Sequence, residues 1–284
     1  MKLPARIFDS HFHLYRADEV PAEGLMSAPT LRRNFAWSDF QQAWDGLPVE
    51  AAAFVQVRPE EEGLAEARAI SSLAQGPAAI VAGCVLENAE QRRALAQLVE
   101  LELVRAVRRG SQFHPDPLYL ARPEMIAGYR RAAELGLIGQ VCVKHFQLEA
   151  VHRLASALPG LTVILDHLGK PPLSEPIPAA WREWMRRLAQ LPNVYVKVAP
   201  SPQSPGDPPL DPARAAEVVA EAVAVFGFNR CLFGSNWPVS TLLCGYRGWV
   251  ELVCEAVPSA GDGELDALFF RTAAALLLER PPAC

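Results

Sequence analysis

The chain has 284 residues, half of them hydrophobic and 21% charged, a balance that buries a large core and excludes a wholly disordered or fibrous polypeptide. Its length exceeds the usual domain mode of roughly 100 to 150 residues but suits an α/β barrel built as one domain. With 27 Lys+Arg against 32 Asp+Glu the formal net charge is −5, and no basic run follows a phosphate backbone, so nucleic acid is not an expected partner. No apolar stretch reaches the roughly 18 uncharged residues of a membrane span, and Met1 to Arg6 lead only into Ile7-Phe8, too short for a signal peptide. The six cysteines, at 84, 142, 231, 244, 254 and 284, include no Cys-x-x-Cys pair and read as reduced thiols of a soluble, cytoplasmic protein.

Short β-branched runs alternate with longer segments of helical spacing, the pattern of a parallel sheet with crossover helices. In chain order the predicted strands are 7–11, 53–57, 80–85, 103–108, 139–144, 162–167, 194–198 and 231–236. Predicted helices occupy 63–73, 90–102, 123–135, 148–158, 180–191 and 212–226, the last opening on Asp211 as N-cap with Pro212 at its first position. Eight strands in this pattern predict a (β/α)8 TIM barrel, a single α/β domain over 1–284 with its site at the C-terminal strand ends. A doubly wound open sheet is the competing topology, but no glycine-rich dinucleotide-binding turn follows the first strand. Two segments interrupt the alternation: residues 14–50, with Trp37 and Trp44, and the proline-rich residues 199–212. Both leave C-terminal strand ends and are expected near the mouth, as lids, specificity walls or plain surface loops.

The sharpest local signal is Asp9-Ser10-His11-Phe12-His13. His11 and His13 stand two apart at a strand end and project from one face into the predicted mouth, where neighbouring imidazoles are seldom placed for packing alone. A second signal is Ile164-Leu165-Asp166-His167-Leu168-Gly169-Lys170-Pro171, an apolar strand ending on a histidine that would face the first pair across the barrel. On a regular strand Asp166 points away from His167, which makes it a supporting carboxylate. A third is the strand ending on Asn236, before the turn Trp237-Pro238. Arg108, Lys144 and Lys197 end three other strands, suited to an anionic or polyhydroxylated substrate or else to ion pairs with neighbouring acids. Gln56, ending the second strand, and His114, in the loop after the fourth, are further candidates for contact with substrate.

Together the His-x-His pair, Leu165-Asp166-His167-Leu168-Gly169-Lys170-Pro171, Asn193-Val194-Tyr195-Val196-Lys197 and Phe233-Gly234-Ser235-Asn236-Trp237-Pro238-Val239 resemble, in order and spacing, the amidohydrolase superfamily. Within it the chain is similar to the sugar-lactonase and 2-pyrone-4,6-dicarboxylate lactonase group, which includes L-fuconolactonase and L-rhamnonolactonase. The resemblance implies a hydrolase that opens the lactone of a sugar acid or of a related carboxylated ring. It implies His11, His13 and His167 around the substrate carbonyl, with Asn236 at the strand-eight position completing the expected catalytic set; the strand ends and loops of this sequence add Gln56, Arg108, His114, Lys144, Lys197 and Trp237 as the expected substrate-binding set. Asn236 stands where the family most often has an aspartate acting as base, and a neutral amide accepts no proton from water near pH 7. A subgroup with another base, a lactone- or sugar-acid-binding barrel without turnover, and a deliberate substitution all fit that departure. A metal-dependent decarboxylase of the same superfamily is a further reading of the His-x-His pair. If a metal is present, His11, His13 and His167 are the expected ligands of one zinc ion; without it, the imidazoles polarise the carbonyl as hydrogen-bond donors. The expected partner is a small-molecule lactone or sugar acid, and self-association into a homo-oligomer is left open.

Overall fold

The computed structural model describes residues 2–279 except 174, 205, 208 and 209, so part of the proline-rich segment 199–212 lies outside the described residues. Eight parallel strands pair in chain order: β1 (Ile7–Phe12), β2 (Val49–Val55), β3 (Ala79–Gly83), β4 (Val104–Gly110), β5 (Ile138–Cys142), β6 (Val163–Leu165), β7 (Val194–Val198) and β8 (Cys231–Phe233). A helix follows each strand: α1 (Trp37–Ala43), α2 (Gly63–Ser71), α3 (Ala94–Glu100), α4 (Pro123–Glu134), α5 (Leu148–Ala157), α6 (Ala179–Ala189), α7 (Pro212–Phe226) and α8 (Gly245–Ala256). Two short helices, α9 (Asp262–Asp266) and α10 (Thr272–Leu277), complete the described chain. β1 and β8 meet at their C-terminal ends, where Phe12 bridges Trp237, His13 N donates to Trp237 O at 2.8 Å and Asn236 N donates to His11 O at 2.7 Å. The sheet is thereby a nearly closed (β/α)8 barrel, the fold the alternation predicts. The cap read for α7 is present: the Asp211 carboxylate accepts from Ala213 N and Arg214 N. No helix among the described residues is long and apolar enough to cross a membrane.

Strand alternation sets up the site. Phe8, Val81, Ala106, Ile138, Ile164 and Leu232 form an apolar core inside the barrel, against which Ala273 and Leu277 of α10 pack. Two residues further along β4 and β5, on the same inward face, come Arg108 and Gln140. The same step from Ile164 reaches Asp166, and from Tyr195 reaches Lys197. A polar layer therefore rests directly on an apolar one, and Gln140, Asp166 and Lys197 have no exposed surface. β1 breaks its own alternation: its pairing with β2 passes from Asp9–Ala52 to Phe12–Phe54, three residues against two, which is a bulge. The bulge turns Phe12 outward onto Phe40, with ring centroids 4.0 Å apart, and leaves His11 and His13 facing the same interior as Phe8.

Candidate active site

Residues at or just beyond the C-terminal ends of β1, β2, β4, β6, β7 and β8 enclose a cavity of about 770 Å³. His13, Gln56, Arg108, His114, His167 and Asn236 all reach it. Its floor is the polar layer, centred on Asp166. Gln140 Nε2 donates to Asp166 Oδ2 at 3.0 Å, Lys197 Nζ donates to Gln140 Oε1 at 2.7 Å, and Arg108 Nε lies 3.1 Å from Asp166 Oδ2. Burial alone would raise the Asp166 carboxyl, but Lys197 and Arg108 hold it below the usual carboxylate range. Burial pushes the Lys197 ammonium down to about 8.

The imidazoles stand above this floor. His11 lies between His13 and His167, at ring-centroid distances of 5.0 and 4.6 Å. His13 Nδ1 donates to Val55 O at 2.7 Å, which fixes the tautomer and makes Nε2 the unprotonated ring nitrogen. That Nε2 is 3.3 Å from His11 Nε2 and 3.2 Å from Asn236 Oδ1. Asn236 Nδ2 donates to Pro200 O at 2.8 Å, so the amide oxygen is the atom turned to His13. Burial, with Arg108 second, pushes His13 down to about 4, while burial holds His11 and His167 well below the ordinary imidazole value. All three rings are neutral near pH 7.

Two local devices deliver these groups. Asp9, beneath His11, accepts from His11 N at 3.0 Å and Ser235 N at 2.9 Å, tying the end of β1 to the segment after β8; burial pushes its carboxyl up to about 6. Gly234 passes so close that a Cβ there would sit 2.8 Å from His11 Cβ, so only glycine lets the two segments meet. After β6 the backbone turns left-handed for four residues, His167 (φ 55°), Leu168 (φ 58°), Gly169 (φ 70°) and Lys170 (φ 48°). Each non-glycine residue there costs about 1–2 kcal/mol, and outside bonds hold the turn: Trp181 Nε1 donates to Leu168 O and Gln203 Nε2 to Lys170 O, both at 2.8 Å.

The structure corrects several sequence expectations. β6 ends at Leu165, so Asp166 continues the inward alternation of Ile164 into the site, and His167 reaches the cavity through the left-handed turn rather than from the strand. Lys197 is wholly buried within the floor and does not reach the cavity. Lys144 lies past the end of β5, its ammonium 5.4 Å from the Phe113 ring centroid, and lines a separate, neighbouring cavity. Trp237 is 4% exposed and packs on Phe35 and Phe40, at centroid distances of 5.2 and 5.4 Å, away from the cavity. Gln56 does line the cavity, with its side-chain amide donating to Arg58 O, and the His114 ring stacks on Tyr119 at 3.7 Å.

Sequence reasoning passed over Gln140, Lys170 and Arg109. Arg109 pairs with Glu87 at 2.6 Å and Glu60 at 3.2 Å at the rim. Counting inward positions from Ile138 would have found Gln140; nothing in residue type announces the turn that places Lys170. From the segment after β1, Pro21, Glu23 and Met26 line the cavity, and Glu19 pairs with Arg58 at 2.6 Å; Ser201 lines it from the segment after β7.

Among the described residues, the donor atoms fit an ion in one place. His11 Nδ1, His167 Nδ1 and Asp166 Oδ1 are buried and have no hydrogen-bond partner, and this group offers one ligand atom from each residue within 4.8 Å of the others. Asp166 thus replaces His13 in the expected ligand set, because His13 Nδ1 is committed to Val55 O and its Nε2 faces Asn236. Such a nitrogen and carboxylate set could hold a divalent ion.

The sequence matches the amidohydrolase family over residues 8–278. The chain belongs to that family. This amidohydrolase is a hydrolase in class, and its relatives are distant. An uncharacterized protein, y4mH, of Sinorhizobium fredii is 30% identical over 178 residues, 60% of this chain and 59% of that protein, so the chain spans under two thirds of that relative's length. An L-fucono-1,5-lactonase of Burkholderia ambifaria is 27% identical over 259 residues, 87% of each chain. Among solved structures, an amidohydrolase from Burkholderia multivorans with bound zinc superposes with a TM-score of 0.84 at 26% identity, covering 98% of this chain and 100% of that one.

Proposed function

We propose that this amidohydrolase opens a lactone ring, and the observation that carries the reading is His13 Nε2 facing Asn236 Oδ1 at the cavity wall above a cation-rich floor. The L-fucono-1,5-lactonase relative supports the same chemistry. His13, neutral and held in one tautomer by Val55 O, takes the proton of an attacking water at Nε2. Asn236 cannot take that proton, but its Oδ1 accepts a hydrogen bond from the imidazolium as it forms. Water oxygen bonds to the lactone carbonyl carbon, Arg108 opposes the negative charge developing on the carbonyl oxygen, and the ring C–O bond then breaks. The proton held on His13 Nε2 passes to the departing ring oxygen, and the product is a hydroxy acid. A divalent ion held by His11, Asp166 and His167 would supply Lewis-acid polarisation of the carbonyl and a more acidic water.

The test is a pH-indicator screen of five- and six-membered lactones, with elemental analysis of the same sample. Acid release on at least one lactone is expected; tight binding of lactones with no release from any of them would sink the reading. The pH profile has its own expectation. His13 must be unprotonated, so kcat/KM holds as pH falls until about 4 and drops below it. It declines again above about 8, where Lys197 loses its charge beneath Asp166. An acid limb at the ordinary histidine value near 6.5 would remove His13 from the role.

A further inference from the structure

A buried carboxylate that no catalytic step uses sits behind the cavity wall. Glu66, on α2, is 2% exposed and does not line the cavity. Its Oε1 accepts from Val57 N at 3.2 Å and from Arg58 N at 3.0 Å, while Oε2 is buried and, among the described residues, has no hydrogen-bond partner. A carboxyl group so placed is costly to bury, and the helix that carries it is fixed on the sheet. A Cβ at Gly63, the first residue of α2, would overlap the carbonyl oxygen of Gly83 on β3, so the helix rests directly on that strand and holds Glu66 one turn further on.

What the carboxyl group holds is the turn by which the chain leaves β2. Gln56 stands immediately before the two donors, and its side-chain amide closes the turn by donating to Arg58 O. Its own carbonyl oxygen faces the cavity cation: Arg108 Nη1 donates to Gln56 O at 3.0 Å, and Arg108 Nε lies 3.1 Å from Asp166 Oδ2. Two anchors from different strand ends therefore set the plane of the guanidinium. Asp166 belongs to the buried floor, whereas Gln56 O belongs to a turn whose position depends on what binds its backbone.

We infer that Glu66 is a positioning residue for Arg108, acting through the backbone of residues 56–58 to hold the guanidinium where charge develops on the lactone carbonyl oxygen. The inference rests on the lactonase reading, which gives Arg108 that task. Burial pushes the Glu66 carboxyl up to about 7, and the proton it takes up resides on Oε2, because two N–H donors occupy Oε1. The accepting oxygen is present in both states, so titration of Glu66 leaves the acid limb of kcat/KM to His13, and a neutral amide at this position is an adequate substitute.

Glu66→Met keeps an unbranched side chain of similar length and removes the acceptor. It is expected to lower kcat on a hydrolysed lactone by about 10- to 100-fold, with a smaller change in KM, because Arg108 acts on the transition state. Glu66→Gln keeps the oxygen and is expected to restore most of the rate. A double-mutant cycle separates positioning from general support of the fold: in an Arg108→Lys background, which keeps the charge beside Asp166 but loses the fork to Gln56 O, Glu66→Met is expected to change kcat by less than about twofold. Equal slowing in both backgrounds, or a loss that Glu66→Gln does not rescue, overturns the inference and leaves the lactonase reading standing. Melting curves show that each variant is folded; if Glu66→Met is not, Glu66→Asp, which draws the oxygen back by one methylene, carries the same cycle. If the unmodified enzyme turns over no lactone, the lactonase reading fails and the Arg108 Nε–H resonance of nitrogen-15-labelled protein decides, assigned by its loss in Arg108→Lys. Exchange of that proton with water that quickens in Glu66→Met and slows again in Glu66→Gln upholds the anchor, and equal exchange in all three proteins overturns it.

Discussion

Asp166→Ala is expected to lower folding stability by about 3–5 kcal/mol and to remove activity, because it strips the counter-charge from two cations at the floor of the barrel. Lys197 Nζ is 3.7 Å from Asp166 Oδ1 and Arg108 Nε is 3.1 Å from Oδ2, and the lysine has no access to water that could replace the carboxylate. A denaturant midpoint measures the stability loss, and an unchanged midpoint would mean that the floor tolerates its cations unpaired. Asp166→Asn separates charge from shape. The amide retains the volume but loses the charge, so its stability should also fall at neutral pH, with the variant and the unmodified protein converging in acid. The sign follows from the depressed carboxyl: a group whose folded pKa lies below its unfolded value near 3.9 stabilises the fold above that value, and its contribution is lost as pH falls through the folded one. A stability difference between the unmodified protein and Asp166→Asn that stayed constant down to about pH 2 would contradict the electrostatic account.

Asp166 also shows where legibility ended. The eight apolar runs were readable because a parallel strand covered on both faces has to be apolar along its length, and the observed order β1 to β8 follows from short right-handed crossovers. Which side chains face inward depended on where each strand stops. Extending β6 to His167 assigns the histidine inward and its neighbour outward; the strand stops at Leu165, and the alternation then delivers the carboxylate. His167 reaches the same space only through left-handed backbone at a non-glycine residue, which propensity disfavours and which outside hydrogen bonds enforce. β1 hid a comparable inversion, since its bulge lets His11 and His13 share the interior with Phe8 although the spacing is odd against even. Trp237 was misplaced for a different reason: an aromatic before proline at a strand end suits either a substrate wall or a core plug, and Phe35 and Phe40, far away in sequence, decide for the core. Lys170 had no periodicity behind it at all.

His13→Gln is expected to reduce kcat by about 10²–10⁴-fold with a smaller effect on KM, the usual weight of a positioned proton acceptor. A loss confined to KM would make His13 a binding group. The companion change, Asn236→Asp, places an acid beside His13, and the geometry argues against a simple gain. Asn236 meets two different demands: its Nδ2 donates to Pro200 O at 2.8 Å, and its Oδ1 stands 3.2 Å from His13 Nε2. A carboxylate meets only the second. Its other oxygen would face the Pro200 carbonyl, acceptor against acceptor, leaving a buried polar group unsatisfied at a cost of about 1–3 kcal/mol. The new negative charge would also favour the protonated imidazole, moving the acid limb of kcat/KM up from about 4 toward the ordinary histidine value. The expected variant is therefore less stable, with an acid limb displaced upward and no large gain at neutral pH. An Asn236→Asp enzyme that kept its limb at about 4 and ran far faster at neutral pH would assign the proton to residue 236 instead, with His13 as its partner.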